Sequence, residues 1–222
     1  MDLFINNLAS DPLFFFSVVF TVVLSIVIHE LCHGFAAVAL GDRTPILSGH
    51  MTADPLVHMG PWSLVALAVA GIAWGQMPID PTRLRGRYAE SLVALAGPAS
   101  NLVLAAVALT GLGVWLGQEP YLFMDPAMTD GDPFWRNAQQ FLLIFGATNL
   151  GLCLFNLLPV PPLDGSHVLG NFHRGYGQFI SDPGNGGVIM ILFVMAFGLG
   201  SFLFGKAIEW SGQYVTWVSG LG

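Results

Sequence analysis

Four stretches of this chain, residues 13–40, 90–117, 134–158 and 186–208, are too long and too apolar to rest in water. A helix that crosses the hydrocarbon core of a bilayer needs about 20 mostly apolar residues, and backbone at that depth must satisfy its own polar groups, as a helix does. The stretches therefore predict four membrane-spanning helices. Composition agrees: charged residues make up only 9% of the chain, against roughly 25% in a soluble domain. The first stretch is too long for the core of a secretory signal and has no basic residue before it, so it is read as a retained helix. With 222 residues, the chain fits one compact bundle, a single domain spanning 1–222. A net charge of −7 with seven Lys and Arg excludes nucleic acid as a partner, because phosphates need clustered basic residues. The expected surroundings are the lipid bilayer. Cys32 and Cys153 lie in apolar stretches and supply neither a disulfide framework nor a Cys-based zinc spacing.

Residues 42–89 have another character. Residues 42–61 mix Gly, Pro and Asp with His50 and His58, which predicts turns and short strands. Residues 62–76 are apolar but short for a span, and 77–89 carry Pro78, Pro81, Arg83, Arg85 and Arg87. Residues 118–133 hold Glu119, Asp125, Asp130 and Asp132 and are expected in solvent. The predicted architecture is an all-α polytopic membrane protein: four transmembrane helices plus a re-entrant segment, 42–89, with short strands.

The chemistry concentrates in His29-Glu30-Leu31-Cys32-His33, inside the first apolar stretch. Residues four apart on a helix share a face, so both imidazoles can reach one ion. A catalytic zinc takes three protein ligands and leaves a fourth position open. Glu30, between the two histidines, is then placed to be the general base. Incidental burial is the weaker explanation, because ionisable groups within a membrane segment are expensive and mark function by default. Cys32 points off the shared face and reads as a packing residue.

A third ligand must come from elsewhere. Asp164, in Asn156-Leu157-Leu158-Pro159-Val160-Pro161-Pro162-Leu163-Asp164-Gly165, is the candidate, since prolines end the helix there and leave extended chain. Taken alone, Asp-Gly would be read as a surface turn. His167 and His173 follow as weaker alternatives. His58 either donates to a developing oxyanion or is a loop histidine satisfied by a carbonyl.

Together, His-Glu-x-x-His and Asn-x-x-Pro-x-Pro-x-Leu-Asp-Gly, each in an apolar setting, resemble the site-2 protease family of intramembrane zinc metalloproteases. Gly97-Pro98 and Asn101 resemble that family's Gly-Pro-x-x-Asn element. The segment from Gly41 to Pro81, with Asp54-Pro55, His58 and Met77-Pro78-Ile79-Asp80-Pro81, resembles the compact bacterial members without PDZ or CBS domains. The resemblance implies one zinc per chain on His29, His33 and Asp164, with Glu30 as the catalytic residue. It also implies membrane-anchored protein substrates cut in regulated proteolysis, and a bacterial cell membrane as location. Asn156 would help hold the substrate or the site. The resemblance leaves oligomeric state open. A transporter using the same His and Asp, or an inactive substrate-binding member, would not need Glu30 between the ligands.

Topology gives a separate constraint. In a helix over 13–40 the histidines sit about two-thirds of the way across, at about 1.5 Å per residue. If 62–76 crossed the membrane, Asp164 would emerge on the far side from them. If 62–76 dips in and returns, Asp164 reaches the same depth. Arg43, Arg83, Arg85, Arg87 and Arg174 then share one face, which the positive-inside rule assigns to the cytoplasm. Both termini fall outside, and the site opens toward the cytoplasm.

Overall fold

The computed structural model describes residues 3–123 and 133–221. Most of the acidic loop expected in solvent, including Asp125, Asp130 and Asp132, lies outside the described residues.

Asp11 and Pro12 start the first long helix. The Asp11 carboxylate accepts from the Phe14 amide at 3.0 Å. Pro12, with no N–H to leave unsatisfied, takes the first helical position. After a single turn, α1 (Asn7–Ser10), helix α2 spans Pro12–Ala39. It is followed by α3 (Thr44–Leu47), α4 (Pro55–Ala70), α5 (Ala89–Gln118), α6 (Phe134–Asn156), α7 (Asp164–Phe172), α8 (Arg174–Ser181) and α9 (Gly186–Ser219). Four of these, α2, α5, α6 and α9, are long and apolar enough to cross a membrane, so the chain is a multi-pass membrane protein.

Helix α5 is the centre of the bundle and packs on α2, α6, α7 and α9. Leu109, Leu112 and Leu116 of α5 form a buried cluster with Val215 of α9. Helix α9 buries one narrow face, Ala196, Gly200, Ala207, Ser211 and Val215, whose small side chains allow close approach. Its other faces expose Met190, Ile191, Val194, Met195 and Phe202, as lipid contact requires. The helix outruns its apolar stretch with no proline to stop it before the left-handed Gly220, and a Lys206–Glu209 pair at 2.7 Å supports the extension.

Between α2 and α5 the chain goes down and comes back. Helix α4 bends at Gly60-Pro61, where Gly60 has φ 67°. Its Met59 and Leu67 pack on Ile26 of α2. It ends at Gly71, beside the Phe4 ring that stacks on Phe15 near the start of α2. The return runs antiparallel: Trp74 N–H donates to Ser63 Oγ at 2.8 Å and Gln76 N–H to the His58 carbonyl at 3.0 Å. Gly75 then lies against Glu30 and Met77 against Gly34. Two residues of the return thus match four of the helix, about 6–7 Å either way, which is extended backbone. The segment finishes where it began, with Arg85 N–H donating to the Leu40 carbonyl at 2.8 Å.

The expected short strands are corrected here. Among the described residues no strand forms. The first half of the segment is helical in α3 and α4, and the extended return faces α4, a helix that offers no ladder of paired donors and acceptors. The loop after α6 is also more helical than expected, since α7 and α8 follow the prolines.

Asp42 fastens the return to α2. The residue is fully buried and accepts from Thr44 N–H at 2.9 Å, Thr44 Oγ1–H at 2.6 Å and Asp80 N–H at 2.8 Å. Burial pushes its carboxyl up, but those three hydrogen bonds outweigh burial and hold it below the ordinary value.

Candidate metal centre

One turn of α2 sets the site. His29 and His33 rise from one face, with ring centroids 4.6 Å apart and Nε2 atoms 3.0 Å apart. Each ring is gripped by its other nitrogen. His33 Nδ1–H donates to the Val93 carbonyl at 2.7 Å. A carbonyl only accepts, so His33 carries a proton on Nδ1, and in the neutral ring Nε2 keeps the lone pair. His29 Nδ1–H donates to Asn101 Oδ1 at 2.6 Å. Asp164, the first residue of α7, closes the third side. Its Oδ2 lies 3.1 Å from His29 Nε2 and its Oδ1 3.3 Å from His33 Nε2.

These atoms fit a cation better than they fit each other. Lone pairs of two imidazoles and a carboxylate converge, and their donor atoms all lie within 4.8 Å of one another. The buried Oδ2 of Asp164 has no hydrogen-bond partner. That oxygen approaches His29 Nε2 at 3.1 Å outside hydrogen-bond geometry. One divalent cation among them relieves all three contacts. Two imidazole nitrogens and one carboxylate from three residues match the donor set of a catalytic zinc site. Gly97 of α5 leaves the room, since a Cβ there would collide with Nε2 of both histidines.

Glu30 is buried and reaches the opposite wall, where its Oε1 occupies the space a Gly75 Cβ would need. A cavity of about 810 Å³ is lined by Glu30, the two histidines and Asp164 together with the aromatic side chains of Trp74, Phe155, Phe193 and Phe197. Along the return, the backbone N–H and C=O groups of Gly75 and Met77 make no hydrogen bond among the described residues.

The other candidates separate. Asn156 lines the cavity, with its Nδ2 donating to the Leu152 carbonyl at 3.1 Å. Asn101 touches His29 directly. His58 is fully buried, donates from Nε2 to the Thr52 carbonyl at 2.7 Å, and leaves Nδ1 without a partner. His167 lines the cavity but pairs with Glu90 at 3.2 Å. His173 caps α8, accepting from Tyr176 N–H at 3.0 Å. Sequence reasoning missed Asn149 of α6, fully buried behind Asn101. Its signal was an amide in the middle of an apolar run, with no motif around it.

Comparison with known proteins agrees with this geometry. Residues 16–199 match the model of peptidase family M50. The chain is 34% identical over 190 residues to "Putative zinc metalloprotease YwhC" of Bacillus subtilis, covering 83% of this chain and 82% of that protein. It is 34% identical to "Putative zinc metalloprotease Rip2" of Mycolicibacterium smegmatis, over 66% of this chain and 53% of that one. Against the protein of the same name from Mycobacterium tuberculosis H37Rv the identity is 29%, over 78% of this chain and 63% of that one. The chain thus spans only about half to two thirds of the mycobacterial relatives. No solved structure matches. The match reaches from α2 into α9 and takes in His29, His33 and Asp164 alike, so the chain belongs to peptidase family M50, the site-2 protease family of zinc metalloproteases.

Proposed function

We propose that the chain hydrolyses peptide bonds of membrane-anchored proteins, with His29, His33 and Asp164 as zinc ligands and Glu30 as general base. The observation that carries this reading is the convergence of those four side chains on one cavity among membrane-spanning helices. Zinc, when bound, supplies Lewis acidity that acidifies water and polarises a carbonyl. The carboxylate of Glu30 takes a proton from the attacking water and passes it to the leaving nitrogen. His29 and His33, each held at Nδ1, keep Nε2 aimed with no reorganisation. Asn156 lies on the cavity wall, where it can hold a substrate carbonyl or amide.

The segment 42–89 is read as re-entrant, entering and leaving the membrane on the cytoplasmic side. The free backbone groups of Gly75 and Met77 then offer an edge to an unwound substrate strand. Main-chain pairing there holds a substrate without demanding a particular sequence. It also opens a substrate helix whose peptide bonds would otherwise be shielded.

Glu30→Gln is the test. The amide cannot accept the water's proton but leaves the three ligands in place. Cleavage of a membrane-anchored substrate in vesicles should fall by about 10²–10⁴-fold, the usual worth of a general base, while zinc content stays at one per chain. Wild-type cleavage by this variant would remove Glu30 from the mechanism.

A further inference from the structure

Three hydrogen bonds behind His29 run in a fixed direction. Asn149 Nδ2 donates to the Phe145 carbonyl at 2.9 Å. Asn101 Nδ2 donates to Asn149 Oδ1 at 2.9 Å. His29 Nδ1–H donates to Asn101 Oδ1 at 2.6 Å. Both asparagines are fully buried. The O and N of an amide can be exchanged without changing its shape, so each assignment needs a reason. Here the reason lies at the far end. A backbone carbonyl cannot donate, so the Asn149 atom facing Phe145 must be its NH₂. Its other atom, facing Asn101, is then the oxygen and must accept. Asn101 therefore turns NH₂ to Asn149 and oxygen to His29. His29 must in turn carry a proton on Nδ1, and in the neutral imidazole the lone pair is left on Nε2, 3.1 Å from Asp164.

We propose that Asn149 is a positioning residue of the metal centre: through Asn101 it fixes the tautomer and ring orientation of His29, so that Nε2 is a ready ligand before any ion arrives. This rests on His29 being a ligand. The relay has a physical consequence that packing alone would not have. Without Asn149, the Asn101 amide can rotate by half a turn and present NH₂ to His29. The imidazole would then favour the Nε2–H form, which cannot bind a cation until the proton moves. His33 needs no such relay, since its partner is itself a backbone carbonyl. The loss should therefore be confined to one of the two rings.

The experiment uses the full chain in detergent micelles with histidine labelled with nitrogen-15, the His29 signals being assigned by their absence in His29→Gln. In the metal-free parent at pH 8, His29 should show the Nδ1–H pattern. Asn149→Leu should shift it toward Nε2–H, leave His33 unchanged, and weaken zinc binding by about 10–100-fold in competition with a chelator, the usual effect of losing an outer partner. Asn149→Asp, held as the neutral acid in this buried span, donates its O–H to the Phe145 carbonyl, still accepts from Asn101, and should restore both readings to within a few-fold. An Nε2–H pattern in the metal-free parent overturns the proposal even if Asn149→Leu fails to fold. So does an Asn149→Leu variant whose zinc affinity drops while the His29 pattern stays as in the parent, because the residue would then act by packing alone. If His29→Gln binds zinc as tightly as the parent, the ligand reading fails instead, and the two failures are told apart.

Discussion

Gly97 carries the sharpest constraint on any single position. Any side chain there meets His29 and His33 at the atoms that would hold zinc. Gly97→Ala should lower zinc affinity by about 10–100-fold, the range for misplaced ligands. It should also destabilise the bundle by about 1–3 kcal/mol, as overpacking does. Chelator competition and thermal unfolding of the same sample check both effects. Unchanged zinc affinity would mean that α5 does not approach the ligands this closely. At this scale the sequence was informative wherever spacing carried meaning. His29 and His33 announce themselves by their four-residue interval, and Asp164 by the prolines before it. Asn149 could not be found that way. Its role depends on standing behind Asn101, a contact between residues 48 apart in sequence, and no local pattern encodes it.

Among elements, the return segment 72–85 is tied at its far end to Asp42. Three donors converge on that buried carboxylate, two from Thr44 and one from Asp80. Asp42→Ala leaves the Asp80 amide unsatisfied, at a cost of about 1–3 kcal/mol. The loss should be local. Hydrogen exchange at the amides of Asp80, Gln76 and Trp74, each hydrogen-bonded in the return, should quicken, while the amides of α5 and α6 should not. Acid should act in the same way. The carboxyl's folded value lies below its ordinary 3.8, so ionised Asp42 stabilises the folded chain fully above that pH. The contribution fades as pH falls below 3.8 through the lowered folded value. Exchange at Asp80 that is no faster at pH 3 than at pH 6, after correction for intrinsic rates, would contradict the clamp. The expected strands misread this region for a physical reason. Gly, Pro and short apolar runs mark extended chain and turns well, but a strand also needs a paired neighbour. The neighbours here are helices. The long helices were legible because hydrocarbon leaves backbone so few options.

At the scale of the whole molecule, the open question is which way the bundle sits in the membrane. The chain path already brings the end of α2 and the start of α5 together, since Arg85 N–H bonds to the Leu40 carbonyl. Asn171 of α7 donates to the Arg87 carbonyl at 3.2 Å, so the Asp164 loop returns to the same end. Arg43, Arg83, Arg85 and Arg87 therefore gather at the end of the bundle toward which the histidines lie. For such a cluster the positive-inside rule predicts the cytoplasmic side, because basic residues near helix ends resist export. Single cysteines placed at Arg43 and at Arg85, in a chain with Cys32 and Cys153 replaced by alanine, should react with a membrane-impermeant thiol reagent only when the cytoplasmic face is exposed. A cysteine at Glu119, exposed at the other end of α5, should react only from outside. Labelling of the first two from outside would reverse the orientation but leave the site intact. Labelling of Arg43 and Arg85 from opposite faces would be more serious. It would require residues 42–85 to cross the bilayer, and that would separate Leu40 from Arg85 and Asp42 from Asp80. The extended segment could not then lie along Glu30, and the cavity that joins the general base to the three ligands would lose one wall.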